Sequence, residues 1–401
     1  MLAIGVVLWS PVARAEFGAA ELFSPTPAGP QRIRVAVTQD QAKVDLTIRG
    51  PFRIVAPQTA LLLREGPHLS KSAVRASQEG ILVGEQLLPS GHIRVEPARD
   101  ATINLNGQRL RGTVNIYRQR DLTLLVINQI SLEDYLLGVI GKEAPQDWPV
   151  EALKAIAMVA RTYALSERLS NVSTAYDVTG TVLSQVYGGK TAERSRTTRA
   201  VKETEGFVLT YRGRIFPAFY HSTCGGLTEH ASVMGPFDLE PLKGGIHCSW
   251  CADSPFYRCR QRLTKEDLAW AVSQLGRGSI WRVSDLEIVE RTATGRVAKI
   301  RIQGARAVVL TGYEFRQLFG FSRIRSTAFT VLRQGDAFIL EGGGWGHGVG
   351  LCQWGAAELA RRGFSAKEIL AFYYPHAEVI RLGDVPLQPI NFASRNLSTG
   401  R

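Results

Sequence analysis

The sequence predicts an α+β protein, mainly antiparallel β with a few helices packed on it: a β-rich N-terminal region, then a second domain that carries an inserted α/β subdomain. Two observations carry this. Residues 32–127 run as short segments of alternating apolar and polar side chains, cut by Gly, Pro and Asn. From Ser131 onward apolar residues recur at three- and four-residue spacing, and beyond residue 260 such helical stretches alternate with strand-like ones. The composition agrees. With 45% hydrophobic and 21% charged residues, 39 Gly and 18 Pro in 401, wholesale disorder, collagen and coiled coil are excluded. The length suits two or three domains of about 100–200 residues each.

Taken in order, residues 1–15 have the form of a signal peptide. A short apolar stretch, Leu2 to Val12, precedes Ala13-Arg14-Ala15, a small-x-small cleavage pattern, although the usual positive residues ahead of Leu2 are missing. About eleven apolar residues are too few to span a bilayer, which takes about twenty. Export to a periplasm or cell wall is therefore expected, with no transmembrane segment. Residues 16–31, rich in Pro, Ala and Gly, form a linker. Strands are expected at 32–37, 43–48, 91–95, 101–105, 112–117 and 122–127, with turns at Arg49-Gly50-Pro51 and Asn106-Gly107. A helix over 131–140 opens on a capping-box-like Ser131 and Asp134; a second, over 149–169, has Pro in its first turn and Leu153, Ile156, Ala157, Ala160, Tyr163 and Ala164 on one face. A hairpin joins 207–211 to 216–221 through Arg212-Gly213. A helix over 264–275, strands at 285–291, 297–302, 329–333 and 337–341, and a short helix at 313–319 follow, and a Gly-dense segment leads into a last helix at Gln353. The expected organisation is a β-rich region over 32–111, a core in two pieces (112–259 and 341–385) interrupted by an α/β subdomain over 260–340, and a tail over 386–401.

Lys and Arg number 48 against 36 Asp and Glu, giving a net charge of +12 and a pI near 9.7. Such an excess favours anionic partners. No Lys/Arg run resembles a nucleic-acid-binding arm, so no nucleic-acid partner is expected.

Three stretches carry residues suited to chemistry. The first runs from Val139 to Ala164 and sets Glu143 between Gly141 and Pro145, where the backbone is restricted. Trp148 offers apolar surface that would raise the carboxyl pKa by desolvation, whereas an ordinary Glu at a helix C-terminus would be solvated and only opposed by the macrodipole. The second runs from Phe219 to Glu229 and on to Cys248-Ser-Trp-Cys251 and Cys259. A Cys-x-x-Cys with further Cys and His suits tetrahedral zinc, held by Cys224, Cys248 and Cys251 with Cys259 or His221 as fourth ligand and His230 and His247 as weaker candidates. In an exported protein disulfides among the same cysteines remain open. The third runs from Gly342 to Gly355, with His347 at its centre and Gln353 opening the helix. Its glycines permit close backbone approach, and no Gly-Lys-Ser/Thr follows, so phosphate cradling is unsupported. Cys352 is the odd cysteine, expected as a small buried residue.

Together these stretches resemble the SpoIID/LytB-domain family (stage II sporulation protein D-like proteins). The matching pieces are Leu132-Glu-Asp-Tyr-Leu through Glu143-Ala-Pro, Glu151-Ala-Leu-Lys-Ala to Arg161-Thr-Tyr-Ala, Ser184-Gln-Val-Tyr-Gly, His221-Ser-Thr-Cys-Gly-Gly, Gly344-Trp-Gly-His-Gly-Val-Gly to Gln353-Trp-Gly, and Tyr373-Tyr-Pro, in the family's order. The resemblance implies peptidoglycan as substrate and lytic transglycosylase chemistry on glycan strands, with the catalytic glutamate at Glu143; Glu-Ala-Pro here replaces the family's usual Glu-Met-Pro. Tyr187, His221, Ser222, His347 and Gln353 are expected to line the groove and hydrogen-bond sugar hydroxyls or acetamido groups, with a sugar stacked on Trp345. The resemblance also implies a structural zinc near His221-Ser-Thr-Cys in a variant of the family, and Ser at the position of Cys352 in many relatives. A rival expectation from the same family is a non-catalytic wall-binding protein that stimulates a cell-wall amidase. A zinc-dependent hydrolase ranks below both, because no open His-based site is present.

Overall fold

A computed structural model describes residues 31–275 and 282–384. The expected signal peptide, all but the last residue of the linker, and the C-terminal tail lie outside the described residues. The fold is mixed α+β and mostly β, as expected, and the chain divides into two compact units, residues 1–146 with 164–205 and residues 147–163 with 206–401.

The first unit is built on an eleven-stranded sheet. Strand Arg32–Gln41 lies antiparallel to Leu124–Ser131, and Thr113–Arg118, His92–Pro97, Lys43–Ala56 and Leu61–Ser77 follow outward. Period-two alternation sends Ile33, Val35, Val44, Leu46, Ile48, Ile54, Ile93, Val95, Val114, Ile116 and Val126 into the core, each at most 1% exposed. The expected boundary at 111/112 falls inside this sheet, between strands Gln108–Leu110 and Thr113–Arg118. Asn106-Gly107 is a hairpin turn with both residues at positive φ. The expected turn at Arg49-Gly50-Pro51 is corrected. Strand Lys43–Ala56 runs through it with a register shift between Arg49 and Phe52, where Gly50 takes φ +95 and Pro51 has no N–H to give a ladder.

Helix α1, Leu132–Glu143, starts on Ser131, whose hydroxyl accepts the Asp134 amide at 3.2 Å and donates to the Asp134 carboxylate at 2.8 Å. It ends at Ala144, held extended ahead of Pro145. Helix α2, Val150–Ser170, passes from the second unit into the first. Helix α3, Ser195–Glu203, was not expected, because its sequence is almost wholly polar.

In the second unit, Arg212-Gly213 makes the expected tight turn, but the hairpin arm is Arg214–Ile215 and not 216–221. Pro217 cannot donate to a ladder, and Tyr220–His221 pairs instead, in parallel, with Leu351–Cys352. Residues 260–340 hold two three-stranded antiparallel sheets with helices α4, Lys265–Ser273, and α5, Gly312–Phe319, each opened by a capping box. One apolar cluster runs through them, including Leu263, Val272, Ile300, Phe315, Phe338 and Leu340. Helices α6, Gln353–Arg361, and α7, Ala366–Tyr373, close the described chain with strand Glu378–Arg381.

Candidate functional site

Glu143 is the last residue of α1 and is half-buried. Two glycines of α1 shape its surroundings. A Cβ on Gly138 would lie 2.6 Å from the Tyr187 ring, and one on Gly141 would lie 2.0 Å from the Ala192 carbonyl oxygen. The segment 185–192 can therefore run against the helix, and from it the Val186 amide donates to Glu143 Oε1 at 2.8 Å. The carboxylate is thereby fixed in orientation. Tyr187, expected in a saccharide groove, is buried at 5% exposure and its hydroxyl donates to Asn128 Oδ1 at 2.9 Å. This corrects its role: burial pushes the phenol pKa up and its polar atom is already engaged.

In the second unit, the parallel pairing sets His221 opposite Cys352, and further bridges join Thr223 to Trp345 and Glu229 to Val349. His221 is 4% exposed, with Nδ1 3.0 Å from the Val349 carbonyl oxygen. Burial, then the Arg296 charge, pushes its pKa down to about 3, so the ring is neutral. A carbonyl can only accept, so Nδ1 carries the proton and Nε2, which has no hydrogen-bond partner, is an acceptor. The half-buried His347 accepts the Val349 amide through Nδ1 at 3.0 Å, and burial holds it well below its ordinary pKa. Its Nε2 is therefore a donor. The two rings lie 5.6 Å apart, and His347 is further hydrogen-bonded to the Tyr220 backbone. Ser222 and Trp345 are half-buried, Gln353 is buried at the first position of α6, and Trp148 packs edge-on against Trp354 at 5.4 Å. Trp345 meets Phe256 edge-on at 4.3 Å and has the Arg325 guanidinium 5.5 Å above its ring.

Four buried cysteines, Cys224, Cys248, Cys251 and Cys352, bring their sulfurs within 4.8 Å of one another. The fourth member is corrected: Cys259 heads strand Cys259–Thr264, half-buried and apart from the cluster, while Cys352 is carried in by the parallel pair. His230 and His247 are also outside it. The disulfide alternative is not realised, since all five cysteines are free thiols and Cys224 Sγ stands 3.3 Å from Cys251 Sγ, against about 2.05 Å for a bond.

Donors converge on these sulfurs. The Cys224 and Gly355 amides donate to Cys352 Sγ at 3.3 and 3.4 Å, the Gly226 amide donates to Cys224 Sγ at 3.4 Å, and the Tyr373 hydroxyl lies 3.1 Å from Cys248 Sγ. Gly355 leaves room for this, because a Cβ there would sit 2.7 Å from Cys248 Sγ and 2.0 Å from the Tyr373 hydroxyl. Such donors stabilise thiolate rather than thiol. Four touching thiols cannot all ionise alone, since each charge opposes the next, but a divalent cation removes that opposition. The set could hold a metal ion, and its donors fit one.

Sequence reasoning missed Cys352, Tyr373, Arg296 and Glu229. The one signal for Cys352 was its position at the end of a glycine-dense segment, where backbones approach closely.

The fold and motifs thus define a mainly antiparallel α+β protein with a tetracysteine cluster beside a histidine pair. Residues 120–211 match the family model described as Stage II sporulation protein, and residues 249–350 match one described as a domain of unknown function. An uncharacterized protein of Brachyspira hyodysenteriae is 29% identical over 87% of this chain and 92% of its own length. Stage II sporulation protein D of Bacillus subtilis is 28% identical over 67% of this chain and 78% of its length. The amidase enhancer of the same organism is 28% identical over 71% of this chain and 46% of its length. These matches support a place in the SpoIID/LytB family.

Proposed function

We propose that the chain is an exported peptidoglycan lytic transglycosylase, acting in a periplasm or cell wall, that cleaves glycan strands between N-acetylmuramic acid and N-acetylglucosamine. The observation that carries this reading is the Glu143 carboxyl, half-exposed at the C-terminal end of α1 and held through Oε1 by the Val186 amide. In the reaction, protonated Glu143 donates its proton to the departing glycosidic oxygen. The resulting carboxylate then takes the proton of the muramic acid C6 hydroxyl as that oxygen bonds to the anomeric carbon. The product is a 1,6-anhydro sugar, no water is consumed, and one acid serves both steps. In the second unit, His221, Ser222, Trp345, His347 and Gln353 form a saccharide-binding set.

The four cysteines would hold a structural zinc through their sulfurs, which would supply a cross-link between the His221 strand and the Gly-dense segment and no chemistry on substrate. Glu143→Gln should lower release of anhydro products from glycan strands, followed by mass spectrometry, by about a hundredfold or more; full activity would refute the assignment. The match to an amidase enhancer supports a second reading, a non-catalytic wall-binding protein that stimulates an amidase. Binding to purified sacculi with no soluble product from the wild type, and faster amidase turnover on its addition, would favour that reading.

A further inference from the structure

We propose that Arg296 is the built-in counter-cation of a tetrathiolate metal centre formed by Cys224, Cys248, Cys251 and Cys352, delivered to it by the inserted subdomain. This rests on the metal reading above. A divalent cation held by four thiolates leaves a net dianion, and a buried dianion without compensation is strongly unfavourable. The amides of Cys224, Gly226 and Gly355 offset part of it with dipoles, but they carry no full charge.

Arg296 does. It is 3% exposed, and Nη2 donates to the carbonyl oxygen of the cluster residue Cys224 at 2.6 Å and to that of Leu227 at 3.4 Å, while Nη1 donates to Ser326 Oγ at 2.9 Å. All three acceptors are neutral. The buried Glu229 carboxylate is engaged instead by the His230 amide at 2.7 Å and by the hydroxyls of Thr292 at 2.6 Å and Thr294 at 2.5 Å. A guanidinium buried on neutral acceptors is costly unless negative charge lies close by. The charges that act on it are those of Glu229 and of the cluster cysteines Cys224, Cys352 and Cys251.

The surroundings are built to admit it. Gly348 has φ +87, and a Cβ there would lie 2.6 Å from the Arg296 Cζ, so that glycine of the Gly-dense segment makes room for the guanidinium. Arg296 closes the turn Thr292–Arg296 between strands Asp285–Arg291 and Val297–Gln303, where the Thr292 amide donates to the Arg296 carbonyl at 2.8 Å. The same turn grips both ends of the Cys224–Glu229 segment, Arg296 at one and the two threonines at the other. The inserted subdomain thus supplies a charge that the cysteines cannot.

Arg296→Met and Arg296→Lys are near-equal in length and differ in charge. The full chain would be loaded with zinc or cobalt, its metal content measured, thiolate–cobalt absorption recorded, and affinity read by competition with a chromophoric chelator. One metal per chain is expected in the wild type; none would overturn the metal reading and this proposal together. Arg296→Met should bind the metal about 10–100-fold more weakly, the usual cost of losing an outer-shell partner, and Arg296→Lys should keep most of the affinity. Arg296→Met should also lower the melting temperature of the metal-loaded protein more than that of the chelated protein. Equal losses in the two variants, unchanged affinity in Arg296→Met, or an equal fall of the loaded and chelated forms (failure of both to fold included) would overturn the role of the charge while leaving the metal reading standing.

Discussion

Tyr187→Phe separates the two roles this residue could have. The substitution keeps the ring, which fills the space left open by Gly138, and removes only the hydroxyl that donates to Asn128 Oδ1. Asn128 is fully buried, and its amide nitrogen donates to the Arg111 carbonyl at 2.8 Å and the Thr113 carbonyl at 3.0 Å. It therefore cannot flip to find Oδ1 a new donor, and the oxygen is left buried and unsatisfied. That costs about 1–3 kcal/mol, and in a unit of this size each kcal/mol lowers the melting temperature by about 2–4 °C. Thermal unfolding followed by near-ultraviolet circular dichroism should show the fall, while calorimetric titration with glycan fragments should show unchanged affinity. An Asn128→Ala/Tyr187→Phe double variant should lose less than the sum of the single losses. Undiminished stability together with lost saccharide binding would refute the assignment of Tyr187 to the core.

Two further outcomes follow from the packing. Burial, with Asp177 adding to it and the Asn171 hydrogen bond opposing it, pushes the Glu167 carboxyl up to about 7. Its folded value lies above its unfolded one, so stability from this group is present below about pH 4.5 and is lost as pH rises through about 7. Glu167→Gln should raise the unfolding free energy by about 1–3 kcal/mol at pH 8 and change it little at pH 4.5, with denaturant titrations at both pH values as the check; an equal gain at both would sink the reading. Gly355→Ala sets helix propensity, which favours Ala by about 1 kcal/mol, against a Cβ placed 2.0 Å from the Tyr373 hydroxyl and 2.7 Å from Cys248 Sγ. The clash should win by about 1–3 kcal/mol and weaken metal binding, and a stabilised variant that loads metal normally would contradict it.

Legibility in the sequence tracked how local each determinant is. The helix starting at Ser131 was readable because its cap lies within three residues of it, and the first strands were readable because each buries one face. Strand Leu61–Ser77 was missed: 17 residues long, it buries only Leu69 and Val74, so it lacks the alternation that betrays a strand. The cysteine cluster was three-quarters readable. Cys224, Cys248 and Cys251 cluster in sequence, whereas Cys352 arrives through a parallel pair. Arg296 had no signal of its own, since a single Arg in a turn acquires meaning only from what it meets. Tyr187 sits in a motif suggestive of function, yet its hydroxyl is satisfied by Asn128, 59 residues earlier in the chain.

Residues 260–341 are bracketed by paired neighbours, with Cys259 opposite Gly342 in the ladder. That clasp shortens the stretch that must close before His221 meets Cys352 from about 130 residues to about 50, a saving of about 0.9 kcal/mol in loop-closure entropy. A two-residue parallel pairing is a feeble cross-link, and it gains from having its halves brought near by an independent hairpin. What lies beyond the clasp can therefore lengthen or shrink over evolutionary time with little disturbance to the histidines, provided the turn that presents Arg296 keeps its reach.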